Sequence, residues 1–126
     1  MNVAHDETTP WGPARNVRGG RIVFKELLRG AEKTPTNFSL VLADTDVTFK
    51  SPRHRHNFDQ VRLTVEGDFS YARGKASPEG EIVYYPEGAF YGPQNVTGDP
   101  LVLLLQLGPP ICIASWMVSS AEVCGP

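Results

Sequence analysis

His54-Arg55-His56 places two imidazoles two residues apart, just ahead of the alternating run Gln60-Val61-Arg62-Leu63-Thr64-Val65-Glu66. Alternate residues of an extended strand project to one side, so both rings aim the same way. Two neutral imidazoles so placed can seat a divalent ion, and they suit Zn, Ni, Cu or Fe. They can equally form a polar pair in a lined cavity that holds nothing. The first arrangement belongs to an enzyme, the second to a binding shell.

The elements that must position this pair read as strands. Runs at 21–28, 37–44, 60–67, 81–86 and 101–107 are β-rich or alternating. In 60–67, Val61, Leu63 and Val65 share one face, and Gln60, Arg62, Thr64 and Glu66 share the other. Residues 68–74 are expected to fold back on that strand as a hairpin around Gly67-Asp68. Eleven prolines and twelve glycines are spread through the turns between these runs. No helical stretch of ten residues stands out. The pattern predicts an all-β sandwich or closed barrel.

Three segments follow: an extended N-terminal arm at 1–18, a barrel at 19–107, and a tail at 108–126. The arm is expected to pack on the barrel or on a neighbouring subunit. The tail is apolar and rich in small residues, with one more strand expected at 111–118.

The chain has 126 residues, 40% of them apolar and 21% charged, with a formal charge of −2. That composition fits one globular domain and argues against disorder. Lys and Arg are scattered, so the footprint of a nucleic-acid binder is missing. The first residues lack a basic region followed by an apolar core, and the run from Pro100 to Gly108 is too short to span a bilayer. The expectation is a soluble, cytoplasmic protein in which Cys112 and Cys124 are free thiols. Asn95-Val96-Thr97 matches a glycosylation acceptor, which carries no weight in such a compartment.

Two stretches of the chain resemble the motifs of the cupin superfamily of small β-barrels. The first family motif runs G-x5-H-x-H-x3/4-E-x6-G. Here His54-x-His56 is followed after three residues by Gln60 and after six more by Gly67, with Thr48 at the leading Gly position. The second runs G-x5-P-x-G-x2-H-x3-N, and Gly80, Pro86, Gly88, Tyr91 and Asn95 keep its intervals. Gln60 replaces the usual Glu, and Tyr91 the usual His. The resemblance implies a single-domain jelly-roll barrel of two antiparallel sheets. It also implies that His54, His56, Gln60 and Tyr91 converge inside it.

In cupins those positions hold Fe, Mn, Ni, Zn or Cu. A neutral Gln60 oxygen gives up the charge of a carboxylate, and Tyr91, with a free pKa near ~10, must lose a proton to bind as phenolate. The implied site is therefore weak. The alternative is that the four side chains hydrogen-bond one another in a polar interior with no ion.

If Gln60 points inward, strand parity brings Arg62 and Thr64 with it. A buried guanidinium can take a carboxylate or phosphate in bidentate fashion, so the expected ligand is a small, carboxylated organic molecule. Phe58 and Tyr84 are further candidate lining residues, and Tyr85, Phe90 and Trp116 are candidate core or lining aromatics. Val61, Leu63 and Val65 leave an apolar outer face, and the resemblance implies a homodimer built on it. Two functions compete. One is a metal-assisted lyase, isomerase or dioxygenase with Tyr91 as fourth ligand or base. The other is a cupin shell that binds a small molecule without turnover or metal.

Overall fold

A computed structural model describes residues 1–17, 20–96 and 98–108. The expected strand at 111–118, both cysteines and Trp116 lie outside the described residues.

Among the described residues, ten strands follow in chain order: β1 (Arg15–Val17), β2 (Gly20–Arg29), β3 (Phe38–Thr45), β4 (Lys50–Ser51), β5 (Asp59–Glu66), β6 (Phe69–Ala72), β7 (Lys75–Ser77), β8 (Ile82–Tyr85), β9 (Gln94–Asn95) and β10 (Leu101–Leu107). A six-stranded sheet runs β1-β2-β3-β10-β5-β8, and β4 with β9 and β6 with β7 form two-stranded sheets. Every pairing is antiparallel. Apart from one 3-10 turn at Asp6–Thr8, the described residues contain no helix, and none could cross a membrane. The all-β expectation holds.

Residues 68–74 do not pair with β5 as expected. Gly67, at φ 74°, turns the chain out of the large sheet, and β6 pairs with β7 instead. The neighbours of β5 are β10 and β8, so the hairpin partner that local sequence suggested is displaced by strands distant in the chain.

The arm is tied to the barrel at several points. β1 pairs with β2, the Gly12 amide donates to the Phe24 carbonyl at 2.8 Å, and Lys25 bridges Asp6 while lying over the Trp11 ring.

Side chains of β5 alternate against the simple rule: Gln60, Arg62 and Thr64 are buried, whereas Val61, Leu63 and Val65 are half-exposed. The same parity runs through the sheet. Leu104 faces inward between Val41 and Arg62, and Val102 between Ala43 and Thr64. One end of the interior is an apolar core of Ile22, Phe24, Val41, Ala43, Phe49, Phe69, Val96, Val102 and Leu104. The other end is polar, and the two histidines lie there.

Candidate functional site

Backbone pairing brings the two motif stretches together. His54 and Tyr91 form an isolated antiparallel bridge, each amide donating to the other's carbonyl at 2.9 Å. A reciprocal pair of this kind puts both side chains on one side of the ladder. The turn that precedes Tyr91 closes with the Ala89 amide on the Pro86 carbonyl, and Gly88, at φ 80°, donates to the His56 carbonyl. The left-handed backbone at position 88 is one a side chain disfavours.

All four expected positions are buried and share one region. The ring centres of His54 and His56 are 5.0 Å apart, those of His54 and Tyr91 4.4 Å, and those of His56 and Tyr91 5.7 Å. The Arg62 Nη2 group donates to Gln60 Oε1 at 2.8 Å and to the Tyr91 hydroxyl at 3.3 Å. Tyr91 and His56 Nε2 share a hydrogen bond of 2.7 Å. In the tautomer that leaves Nε2 its lone pair, the hydroxyl donates to the imidazole while accepting from Arg62.

His54 has its tautomer set by the backbone. Its Nδ1 lies 2.7 Å from the Pro52 carbonyl, which can only accept, so Nδ1 carries the proton and Nε2 the lone pair.

Phe58 stacks on His56 at 4.6 Å, and Thr64 is buried further along β5 beside Val102. Tyr84 departs from expectation. It is 58% exposed and bonds Asp59 on the outer face, because strand parity turns its neighbour Tyr85 inward.

Two further residues of the polar interior, Ser39 and Gln106, belong to neither motif. Across four adjacent strands, Ser39, Gln106, Gln60 and Tyr85 stand opposite one another in register and are all buried. Ser39 Oγ, both Gln106 amide atoms, Gln60 Nε2 and the Tyr85 hydroxyl have no hydrogen-bond partner among the described residues. Buried polar atoms are rarely left so, because each costs about 1–3 kcal/mol. The signal in the sequence is a lone Gln in an aliphatic run, at the inward parity of Val102 and Leu104.

Burial dominates the electrostatics. His56 is pushed down to about 3, first by burial and then by the nearby His54 and Arg62. Burial pushes Tyr91 up to about 12, outweighing the opposite pull of Arg62. At neutral pH both groups are uncharged, and Tyr91 holds its proton.

The lowered His56 pKa makes stability depend on pH. Unfolded His56 titrates near 6.5, so protons favour the unfolded chain between that pH and about 3. The contribution is constant above pH 6.5 and is lost as pH falls through the window. Urea titrations at pH 7.5 and 5 should show wild-type stability falling by more than that of His56→Asn. Parallel losses in the two proteins would show that His56 is not the group responsible.

Placement and chemistry differ over a metal ion. Three imidazoles around one tetrahedral ion have ring centres roughly 5 Å apart, close to the spacing at His54, His56 and Tyr91. The donors do not fit. Tyr91 stays a phenol, the Gln60 oxygen accepts from Arg62, and the guanidinium beside both would repel a dication. No group of three His, Cys, Asp or Glu among the described residues could hold a metal.

No protein-family model and no curated protein matches the chain. Solved structures do. An RmlC-like cupin from Shewanella frigidimarina aligns with a TM-score of 0.64 at 20% identity, over 86% of this chain and 92% of that one. KdgF from a Halomonas species aligns with a TM-score of 0.63 at 17% identity, over 86% and 94%. The polyketide cyclase RemF from Streptomyces resistomycificus aligns with a TM-score of 0.61 at 18% identity, over 88% and 82%. With strand order and these likenesses in agreement, the chain has the cupin fold.

Proposed function

We propose that this protein is a binding module that takes a small organic acid in the polar end of the barrel, recognises it with Arg62, and needs no resident metal ion. The observation that carries the reading is the setting of Arg62. Its side chain is 1% exposed, held by Gln60 and Tyr91, and enclosed by the rings of Phe69, Tyr85 and Tyr91 at 5.0, 4.9 and 5.1 Å. A guanidinium is a planar fork of five donors that stays charged when buried. Among the described residues, the unmet groups in the polar row beside it include two amide nitrogens that donate, two hydroxyls that can donate or accept, and the accepting Gln106 Oε1. Donors available beside one fixed cation complement an oxygen-rich anion, a carboxylate above all.

Arg62→Leu should weaken binding of carboxylate probes by about 30-fold or more and leave the matching carboxamides unchanged. Arg62→Lys keeps the charge without the fork, and should lie between the two. Calorimetry on a paired series of acids and amides measures this. Equal losses for both series would remove the idea.

The metal-assisted enzyme is favoured by one observation, the spacing of the three rings. It requires a proton to leave Tyr91 and the Gln60 oxygen to leave Arg62. Tyr91, which keeps its proton at neutral pH, is better suited there as an acid than as a base. Elemental analysis of protein purified without chelator, beside His54→Ala, separates the two readings.

A further inference from the structure

Basic residues line a cleft beside Tyr85 and Tyr91. This cleft of about 440 Å³, in the size range of small-molecule pockets, is lined by Arg53, Arg73 and Lys75 over Tyr85, Tyr91 and Phe90, with no acidic side chain among the described residues of its wall. Three segments build it. Arg53 precedes His54, Arg73 and Lys75 flank the tip of the β6–β7 hairpin, and Phe90 precedes Tyr91. Phe90, 47% exposed, has two guanidinium groups against its ring, Arg53 at 5.0 Å and Arg55 at 5.2 Å from the ring centre.

None of Arg53, Arg55, Arg73 and Lys75 makes an ion pair among the described residues, although the chain as a whole carries −2. Like charges brought near one another repel, and no side-chain hydrogen bond among the described residues holds these cations there. The cleft floor is continuous with the polar interior. Tyr85 and Tyr91 both lie against Arg62, and Tyr85 is 7% exposed with its hydroxyl unmet among the described residues.

We propose that this cleft is an anionic subsite, so that the ligand is a small polyanion carrying at least two negative groups, one held by Arg53, Arg73 and Lys75 and another directed toward Arg62. The second half rests on the reading of Arg62 above. Phe90 and the two tyrosines offer flat faces to the body of the ligand, and the arginines against Phe90 are held ready with no acidic partner among the described residues. The small volume favours a metabolite-sized anion over a polymer.

The test uses the full chain with acetate, succinate, tricarballylate and inorganic phosphate as probes, followed by calorimetry at 50 and 300 mM NaCl. Affinity should rise steeply from acetate to tricarballylate and fall with salt. The triple variant Arg53→Ser/Arg73→Ser/Lys75→Ser, changed only at exposed positions, should lose about tenfold or more for tricarballylate while acetate is unaffected. An unchanged tricarballylate affinity in that variant overturns the subsite, as does a flat series or no binding of any polyanion. Tighter binding of a poly-dT oligonucleotide than of tricarballylate overturns the small-molecule assignment. Arg62→Leu keeps the two claims apart. If it binds every acid as wild type does while the triple variant loses polyanions, the interior reading fails and the cleft stands.

Discussion

The triple variant Gln60→Glu/Arg62→Leu/Tyr91→His is expected to bind Zn²⁺ or Ni²⁺ at least ~100-fold more tightly than the wild-type chain. The wild-type region has spacing that suits an ion and chemistry that opposes one. Three ring centres 4.4–5.7 Å apart surround a common point, while a guanidinium occupies the hydrogen bonds of the two non-histidine positions. Each substitution removes one objection. Gln60→Glu supplies the anion, Tyr91→His replaces a phenol that holds its proton up to about 12, and Arg62→Leu removes the competing cation.

The order of effects is as informative as their size. Gln60→Glu/Tyr91→His alone should gain less, because the new carboxylate would stand where the Gln60 oxygen now lies, 2.8 Å from Arg62, and pair with it. Competition with a chromophoric chelator reads both affinities. If the triple variant binds no better than wild type, the four positions do not converge as described. If the double variant already matches the triple, Arg62 is not what keeps an ion away.

Gly30→Ala is expected to destabilise the fold by about 3 kcal/mol or more, lowering the midpoint of thermal unfolding by ~10 °C. A methyl group at this position would lie 1.8 Å from the Thr36 carbonyl oxygen and 2.7 Å from Cδ1 of Phe38. The first neighbour is backbone, so no rotamer change relieves the clash. The Gly30 amide also donates to the Phe38 carbonyl at 2.8 Å, closing the loop between β2 and β3. Any shift that accommodates the methyl group opens this closure and pulls on Ser39, the first residue of the buried polar row. Calorimetry of Gly30→Ala beside Gly74→Ala makes the comparison, since among the described residues nothing lies within 4 Å of a methyl group at position 74. Gly74 has φ 71° and will cost something for that reason alone. A Gly30→Ala loss no larger than that of Gly74→Ala would contradict the close approach.

Much of the fold is legible in the residues. Period-two alternation marks β5, aliphatic runs mark β3 and β10, and Gly and Pro clusters mark the turns, because strand geometry and turn chemistry act over a few neighbouring residues. The motif intervals likewise bring His54, His56, Gln60 and Tyr91 to one region. The pairing of β6 escapes such reading for a related reason. A local turn signal at Gly67-Asp68 says that the chain bends, and it does not say which strand lies on the other side.

What a side chain touches after folding is outside local reach. Nothing in the alternation of β8 shows whether Tyr84 or Tyr85 faces in, because both are aromatic and the parity is set by pairing with β5. The row of Ser39, Gln106, Gln60 and Tyr85 joins residues from four strands, so it exists only once their registers are fixed. Arg62 can be placed on the inward face of its strand by counting. That its guanidinium takes up the hydrogen bonds of Gln60 and Tyr91, and so sets the charge of the site, depends on packing from distant segments. Sequence by itself determined that the chain is built of strands and that Gln60, Arg62 and Thr64 share one face of β5, since periodicity and turns are local. Tertiary structure alone decided which of those residues bond one another, since hydrogen bonds and burial depend on distances between segments far apart in the chain.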